Sequence, residues 1–360
     1  MNILVINVPA NSGGALSVLN DFYNQVLNYE DKTVNWIFVI STPQLKENNN
    51  IKVLNFPWVK KSWGHRFYFD SMIAPILVKK YNVDKVFSLQ NVNIPRISCE
   101  QILYVHQSLP FVDYKFNFKE NKLLWMYQNV IGKRIISSIK KADKVIVQTE
   151  WMKNACIEKA QVKENKFQVI SPEFNLYPKS FYKNIGESRN TFFYPANEME
   201  YKNHLIIIKA CIELKRHSVL DYKVLLTLNG NENEHISNLK KQVLKEQLPI
   251  HFIGSMTREE VFEMYTKSIL LFPSYVETFG LPLLEAKLHN GVIFASDCPF
   301  SQEILKGYKN AYFFNPFNGE QLGDLMKEML NNNMEYRLIT DYGFKEEVGE
   351  TASIIDVVLT

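Results

Sequence analysis

Several signatures that would identify a function at once are missing from this sequence. No run of about 18 apolar residues occurs, so a transmembrane helix is not expected. Neither GxGxxG nor GxxxxGKS is present, which makes dinucleotide and P-loop sites weak interpretations. The four cysteines (Cys99, Cys156, Cys211 and Cys298) form no CxxC pair. Their spacing argues against a zinc site and a disulfide framework, and it suits a reducing cytoplasm.

The opening residues also lack the features of a secretory leader. MNILVINVPANSGG contains neither a basic start nor a long apolar stretch, so it predicts a buried strand and not a signal peptide. With 360 residues, the chain is longer than one core usually supports, so we expect two domains. Hydrophobic residues at 46% and charged residues at 22% are ordinary for globular proteins.

Charge is unevenly distributed, although the net charge is only +3. Residues 1–172 hold 22 Lys and Arg against 13 Asp and Glu, a net +9, and the remainder carries −6. This asymmetry points to an anionic ligand or surface facing the first half.

Short apolar runs alternate with helical segments along the whole chain. Because the runs are β-branched and apolar on both faces, they predict buried parallel strands. The first series of strands is 3–8, 35–40, 85–89, 101–106 and 144–149, with helices at 15–28, 67–80, 121–141 and 150–160. The second series is 191–196, 223–228, 250–255, 269–274, 292–296 and 311–314, with helices at 203–217, 234–247, 259–267, 282–290 and 319–331.

Two such series predict an α/β protein with two doubly wound, Rossmann-like domains facing a central cleft. We place the first domain at 1–172, the second at 173–345 and a helix that packs back on the first domain at 346–360. The hinge is expected within 170–181, where prolines interrupt the pattern. Ligands should bind at the carboxyl ends of the strands, so motifs that follow strands deserve most weight.

One such motif is SYVETFGLPLLEAK, which runs from Ser274 to Lys287 directly after a predicted strand. Gly280 permits a tight turn, and Pro282 suits the first turn of a helix, whose N-terminus binds anions well. Glu277 would project from the loop, and Glu285 would lie about one turn inside the helix. Two carboxylates around a helix N-terminus suit a polyhydroxylated, phosphorylated ligand, although solvated glutamates at a helix start are equally common.

In this region the sequence resembles family 4 of the retaining glycosyltransferases, the bacterial surface-polysaccharide type with the two-domain GT-B fold. ETFGLPLLEA, preceded by FPSYV and followed by GVIFASD, resembles the family's Glu-x7-Glu signature. The resemblance implies that Glu277 meets the transferred sugar and that Glu285 binds the ribose hydroxyls. It also implies backbone contacts to sugar and diphosphate from four residues: Thr278, Phe279, Gly280 and Leu281.

A glycine pair follows the first strand in NSGGALSVLNDF (11–22). Gly13 and Gly14 open a helix there and would allow a diphosphate to approach closely. A bare Gly-Gly is more often an ordinary turn, but in this context it resembles the family's N-terminal glycine loop.

Lys202 and Asn203 stand at a helix start after another predicted strand. A lysine is unfavourable at that end of the helix dipole unless a diphosphate binds there. The family commonly has an arginine five or six positions earlier, where this chain has Ala196 and Asn197. Diphosphate binding would then depend on Lys202 and dipoles, or on a distant cation such as Arg258.

His106 ends the strand QILYVH, where a lone histidine is more often structural than catalytic. The matching family position carries a histidine beside the donor sugar, so the resemblance implies a catalytic role for His106. The segment SLQN (88–91) ends the preceding strand and is expected to line the acceptor side.

The first half also contains a basic, aromatic stretch, WVKKSWGHRFYF (58–69), and a basic helix with Lys133, Arg134, Lys140 and Lys141. Trp and Tyr among Lys and Arg suit an anionic bilayer surface, and an ordinary solvated face is an equally good interpretation. No recognition motif accompanies the charge, so a nucleic-acid partner is not expected.

Together these features predict a hexosyl- or related glycosyltransferase that moves a sugar from a UDP- or GDP-linked donor to a saccharide acceptor. The acceptor would be a lipid-linked or cell-surface glycan precursor, and the protein would be cytoplasmic with peripheral contact at the inner face of the membrane. No Asp-x-Asp occurs, so neither a bridging metal nor a cofactor is expected. A non-catalytic GT-B subunit that binds glycan or another transferase is the main alternative, and a nucleotide-sugar epimerase is a weaker one.

Overall fold

The computed structural model describes residues 1–11, 13–42, 44–172, 178–338 and 353–360. These residues form two compact units. Unit 1 comprises the described residues of Met1–Pro172 and of Val348–Thr360, and unit 2 comprises those of Glu173–Glu347. The predicted hinge at 170–181 falls in part on residues 173–177, and the predicted boundary at 345–346 falls within 339–352. Both stretches lie outside the described residues.

Unit 1 is built on a seven-stranded sheet in the order β3-β2-β1-β4-β5-β6-β7, with every pairing parallel. The strands are β1 (Asn2–Ile6), β2 (Asn35–Ile40), β3 (Ile51–Asn55), β4 (Lys85–Ser88), β5 (Glu100–Tyr104), β6 (Lys144–Val147) and β7 (Phe167–Val169). The α-helices are α1 (Gly13–Asn28), α2 (Trp63–Tyr68), α3 (Ala74–Lys80), α4 (Lys122–Met126), α5 (Gly132–Lys141), α6 (Glu150–Ala160) and a last helix, Ile354–Leu359.

Alternate residues of β1 belong to different cores, because successive side chains of a strand point to opposite faces of the sheet. Ile3 and Val5 pack with α1, whereas Leu4 and Ile6 pack with residues of α3. The helix Ile354–Leu359 contributes Ile355, Val357 and Val358 to the core on the α1 side.

Two helices of unit 1 contain a π-helical turn where the sequence predicted uninterrupted α-helix. Phe69–Ile73 joins α2 to α3, and Tyr127–Ile131 joins α4 to α5. Such turns occur frequently at functional sites. Short 3₁₀ turns lie at Pro57–Lys61, Glu164–Lys166 and, in unit 2, Glu200–Lys202.

Unit 2 is built on a six-stranded parallel sheet in the order β10-β9-β8-β11-β12-β13. The strands are β8 (Thr191–Tyr194), β9 (Lys223–Leu226), β10 (Ile250–Phe252), β11 (Ile269–Phe272), β12 (Ile293–Ser296) and β13 (Ala311–Phe314). The helices are α7 (Gly186–Arg189), α8 (His204–Arg216), α9 (Glu234–Lys245), α10 (Arg258–Tyr265), α11 (Leu281–Leu288), α12 (Pro299–Ile304) and α13 (Gly319–Leu330).

The prediction of two doubly wound domains is confirmed, since in each sheet the strand order reverses beside the unit's first strand. The sequence pattern missed β3 and β7 because both are edge strands with partly exposed residues. It also missed the short helices α7 and α12. Within the described residues, no helix is both long enough and apolar enough to cross a bilayer.

Candidate functional site

The reversal of strand order in unit 2 lies between β8 and β11, and the loops after these strands carry the main candidate residues. Lys202 follows β8 and Glu277 follows β11. In doubly wound sheets the loops at this reversal leave a crevice at the carboxyl ends of the strands, and ligands bind there.

Lys202 and Glu277 are joined directly. Lys202 Nζ donates to Glu277 Oε1 at 2.5 Å, and both side chains are about one-sixth exposed, at 17% and 16%. The ammonium also lies 5.7 Å from the centre of the Tyr201 ring. Because both groups are only partly hydrated, the cation and the carboxylate form a pair that an anionic ligand would have to rearrange.

The backbone around this ion pair is held by hydrogen bonds to neighbouring loops and to the end of β8. Asn203 adopts a left-handed conformation, and its amide donates to the carbonyl oxygens of Pro273 at 3.2 Å and Pro316 at 2.7 Å. The buried Tyr194 hydroxyl donates to the Lys202 carbonyl at 2.8 Å. Asn203 therefore has a clear structural function, and its predicted contact with a donor stays a prediction.

Gly280 caps α11 in a conformation that favours glycine, with φ of +85°. A Cβ added there would lie 3.2 Å from Leu283 Cδ1, so a larger residue would also crowd the first turn. Phe279 is buried and Leu281 is exposed at the helix start. Thr278 is half-buried beside Glu277. The turn thus brings the backbone of 278–281 to the N-terminus of α11.

Glu285 lies on α11 and is nearly buried. The Tyr265 hydroxyl donates to its Oε2 at 3.0 Å, and Arg258 Nη2 lies 3.6 Å from Oε1. Burial raises the pKa of the Glu285 carboxyl, while these two partners oppose the rise. Tyr265 is a partner that sequence reasoning missed, since it lies 20 positions away with no motif around it.

The structure also locates the positions where the resembled family has an arginine. Ala196 N donates to Thr227 Oγ1 at 3.1 Å, and Asn197 Oδ1 accepts from Met199 N at 3.3 Å. Neither side chain provides a cation. Arg258, the cation suggested in place of the family's arginine, is paired with Glu285. It therefore lies beside the carboxylate that is predicted to bind the ribose hydroxyls.

The other candidates lie in unit 1. Gly13 begins α1 with φ of +59°, and a Cβ added at Gly13 or Gly14 would meet nothing within 4 Å. Both glycines are exposed, so their backbone is open to a ligand. A side chain would fit at Gly14, whereas the positive φ of Gly13 disfavours any residue other than glycine.

His106 lies two residues beyond β5 and is held in a defined orientation. Its backbone N–H donates to Asn91 Oδ1 at 2.7 Å, and its Nε2 lies 3.0 Å from the Leu89 carbonyl oxygen. A carbonyl only accepts hydrogen bonds, so Nε2 carries the proton and Nδ1 has the open lone pair. Burial lowers the pKa of His106, which favours the neutral ring at pH 7.

No group of three or more His, Cys, Asp or Glu side chains that could hold a metal ion occurs among the described residues. Unit 2 therefore offers an ion pair, a buried carboxylate and a helix N-terminus at the carboxyl ends of its strands. Unit 1, taken by itself, offers the glycine pair and an oriented histidine. These are groups that bind anions and hydroxyls.

Comparison with known proteins agrees with this chemistry. Residues 179–346, a little under half of the chain, match the family model described as glycosyl transferases group 1. A curated relative, the O-antigen chain mannosyltransferase RfbU of Salmonella typhimurium, is 22% identical over 253 residues. That alignment covers 69% of this chain and 66% of the relative, just under two thirds of its length.

Solved structures resemble most of the chain. Anabaena HepE in complex with UDP and glucose has a TM-score of 0.66 at 15% identity, covering 92% of this chain and 90% of the other. WaaG, a glycosyltransferase of lipopolysaccharide biosynthesis, has a TM-score of 0.62 at 14% identity and the same coverage. The chain therefore has the GT-B fold, as the resemblance implied. Membership of family 4 and the role of the Glu-x7-Glu motif stay predictions.

The buried Glu285 gives a stability prediction with a definite sign. The pKa of the Glu285 carboxyl is higher in the folded protein than in the unfolded chain. Above about pH 4.3 the unfolded chain therefore loses this proton while the folded protein still holds it. Wild type therefore loses stability as the pH rises from there through the raised pKa. Glu285→Gln keeps the shape and avoids this loss, so its melting temperature relative to wild type should increase between pH 4 and pH 7. Each kcal/mol of this relative gain corresponds to about 2–4 °C.

Thermal unfolding of both proteins across this pH range measures the effect. Glu259→Gln, an exposed change on α10, is the matched control for the removal of one carboxylate. A Glu285→Gln difference that is constant with pH would contradict the raised pKa.

Proposed function

We propose that this protein is a retaining glycosyltransferase that moves a sugar from a UDP- or GDP-linked donor to a saccharide acceptor. Unit 2 binds the donor and unit 1 binds the acceptor. The acceptor is a lipid-linked or cell-surface glycan precursor. The proposal includes no cofactor and no metal, consistent with the absence of an Asp-x-Asp motif from the sequence.

The ion pair between Lys202 and Glu277 is the observation that carries this proposal. It provides a cation for a diphosphate and a carboxylate for a sugar at one point, where the strand order reverses. The named relatives support the same chemistry. One is named as a mannosyltransferase of the O-antigen chain, and another was solved with UDP and glucose.

Donor binding exchanges the partners of Lys202 in this account. The diphosphate replaces Glu277 as the counter-charge of the ammonium, and Glu277 is then released toward the sugar. Glu285 receives the ribose hydroxyls, with Tyr265 and Arg258 holding the carboxylate in place. The backbone N–H groups at the start of α11 add a fixed positive potential for the phosphates.

Transfer proceeds by displacement on the same face of the sugar, since no second carboxylate is assigned as a nucleophile. The bond from the anomeric carbon to the diphosphate oxygen breaks as the acceptor oxygen bonds to that carbon. The leaving diphosphate takes the acceptor proton. Lys202 and the helix N-terminus stabilise the charge that grows on the diphosphate. Neutral His106 supplies its Nδ1 lone pair to a sugar hydroxyl.

A non-catalytic GT-B subunit is the second candidate, and the residues at positions 196 and 197 favour it. Alanine and asparagine there leave Lys202 without the arginine that the resembled family has nearby. Such a subunit would bind a glycan or another transferase without turnover.

A screen of nucleotide sugars separates the two candidates. The purified protein is incubated with UDP- and GDP-linked sugars and with saccharide acceptors, and free UDP or GDP is measured. Release of nucleotide with a donor supports the transferase. Donor binding without release, in the presence of acceptors that a related transferase uses, supports the subunit.

Membrane contact through unit 1 is part of the proposal. The largest exposed apolar side chains of unit 1 include several on the helices around its two π-helical turns: Trp63, Phe67, Tyr68, Met72, Ile76, Leu123 and Val130. The same helices carry Lys133, Lys140 and Lys141, and residues 1–172 have a net charge of +9. Apolar and basic side chains together suit the inner, anionic face of a cytoplasmic membrane.

Glu277→Gln tests the exchange of partners. Turnover should fall on the order of 10²-fold or more, because the charge at the sugar is removed. Affinity for the nucleoside diphosphate should be equal to or higher than that of wild type, since no carboxylate competes for Lys202. Kinetics and calorimetric titration measure the two effects. Glu320→Gln, an exposed change on α13, is the control, and turnover of Glu277→Gln within a few-fold of it would remove Glu277 from the site.

Lys202→Ala should weaken nucleoside diphosphate binding about 10- to 150-fold, the range for losing a hydrogen bond to a charged group. Free nucleoside should bind variant and wild type equally, because it contains no phosphate. Titration with both ligands separates the cases, with Lys241→Ala on the exposed face of α9 as control. An equal loss for nucleoside and nucleotide would mean that Lys202 supports the fold and not the diphosphate.

Vesicle flotation tests the membrane contact. The protein should bind anionic vesicles at low salt and leave them as the salt approaches about 0.5 M, where screening shortens electrostatic attraction. Binding to neutral vesicles with equal strength, or no binding at low salt, would contradict the proposed surface and favour a soluble acceptor.

A further inference from the structure

A buried carboxylate in unit 1 holds two arginines that the proposed donor chemistry does not use. Asp70 is 1% exposed and lies in the π-helical turn Phe69–Ile73. Arg66 Nε lies 3.0 Å from both of its oxygens, and Arg134 Nη2 lies 2.8 Å from Oδ2. Gln90 Nε2 donates to Oδ1 at 3.3 Å. Two guanidinium groups against one carboxylate leave a net positive charge.

Most of the donors on these arginines have no hydrogen-bond partner in the part of the chain that the structure describes. An arginine has five N–H donors, and Asp70 engages only Nε of Arg66 and only Nη2 of Arg134. None of the hydrogen bonds among the described residues involves the terminal nitrogens of Arg66. The Arg134 side chain is 36% exposed. One arginine would be enough to neutralise the charge of Asp70. The second arginine is held by the same carboxylate, so both guanidinium groups are fixed in orientation while their other donors stay available.

The cluster is attached to the ligand-binding edge of the unit 1 sheet. Gln90 lies two residues beyond the end of β4, and the next residue, Asn91, accepts the backbone N–H of His106. Strands β4 and β5 are neighbours, and β4 lies at the reversal of strand order beside β1. The two arginines are therefore linked to the same strand ends as His106, which is where a ligand of this sheet would bind.

Exposed aromatic rings lie on the same helix as Arg66, and one of them adjoins Arg134. The guanidinium of Arg134 lies 5.8 Å from the centre of the Phe67 ring, and the rings of Trp63 and Tyr127 are 5.9 Å apart. Trp63 is 54% exposed and Phe67 is 63% exposed. Large exposed rings near arginine N–H groups that are available for hydrogen bonding suit a ligand in which an anionic group is attached to an apolar chain.

We propose that Arg66 and Arg134, oriented by Asp70, bind the phosphate of a lipid-linked acceptor at the membrane surface. This rests on the proposed function, in which unit 1 receives the acceptor. The planar guanidinium groups match phosphate oxygens in pairs, which a lysine does not. The rings of Trp63 and Phe67 contact the first part of the lipid chain. Asp70 is a positioning residue, because it touches the arginines and not the ligand.

Binding of the full chain to two kinds of vesicle tests the proposal. Neutral phosphatidylcholine vesicles carry either phosphatidic acid, a lipid phosphate monoester, or phosphatidylglycerol, a diester, at fractions adjusted to equal surface potential. Wild type should bind the monoester vesicles about 10-fold or more tightly than the diester vesicles, the range for hydrogen bonds to a charged group.

Three variants separate recognition from general charge and from folding. Arg134→Gln should bind both vesicles equally, whereas Lys133→Gln removes the same charge from an exposed neighbour and should keep the preference. Arg134→Lys can still pair with Asp70, so it should fold with an unchanged melting temperature and yet lose most of the preference. Rescue of the full preference by Arg134→Lys would assign Arg134 a point-charge role and overturn the proposal.

The remaining outcomes are also decisive. No monoester preference in wild type, or an equal loss of it in Arg134→Gln and Lys133→Gln, would overturn the proposal. Complete displacement from monoester vesicles by millimolar inorganic phosphate would assign the site to free phosphate and overturn the lipid source. This binding assay needs neither a sugar donor nor turnover. If the nucleotide-sugar screen failed and the vesicle result were positive, the proposed transferase activity would be rejected and the phosphate-binding proposal would stand.

Discussion

The arrangement of unit 2 depends on one constraint: two loops that meet where the strand order reverses bring a lysine and a glutamate together. The ion pair between Lys202 and Glu277 joins residues 75 positions apart. It stands in a frame of hydrogen bonds donated by the Asn203 amide and the Tyr194 hydroxyl. Groups held this rigidly have less freedom to lose when a ligand binds, which is the advantage of a preorganised site.

The same arrangement carries a cost in stability. The carboxyl group of Glu285 is buried, and its partners are the neutral hydroxyl of Tyr265 and the mostly exposed Arg258. A protein selected only for stability would favour an uncharged residue at this position. In unit 1, Asp70 is likewise buried between two arginines. Buried charged residues of this kind are typical of sites whose residues are selected for ligand binding and not for stability.

Much of the fold could be predicted from sequence because central parallel strands are continuous apolar runs, and Glu277, Glu285 and Lys202 follow such runs closely. Edge strands β3 and β7 carry exposed residues and gave no such signal. Pairings between distant residues were equally invisible. Asp70 and Arg134 are 64 positions apart, and no local pattern marks the π-helical turn that places Asp70 between its partners. The hydrogen bonds by which the Asn203 amide ties three loops together could not be predicted either, and its contact with a donor stays a prediction.

A crystal structure of the protein with a bound nucleoside diphosphate sugar tests the central claim most directly, through the distances from Lys202 Nζ. The account predicts diphosphate oxygens within about 3.2 Å of Nζ, a hydrogen-bonding distance, and Glu277 turned from the lysine to a sugar hydroxyl. A nucleotide bound elsewhere, with the pair between Lys202 and Glu277 intact at 2.5 Å, would contradict it.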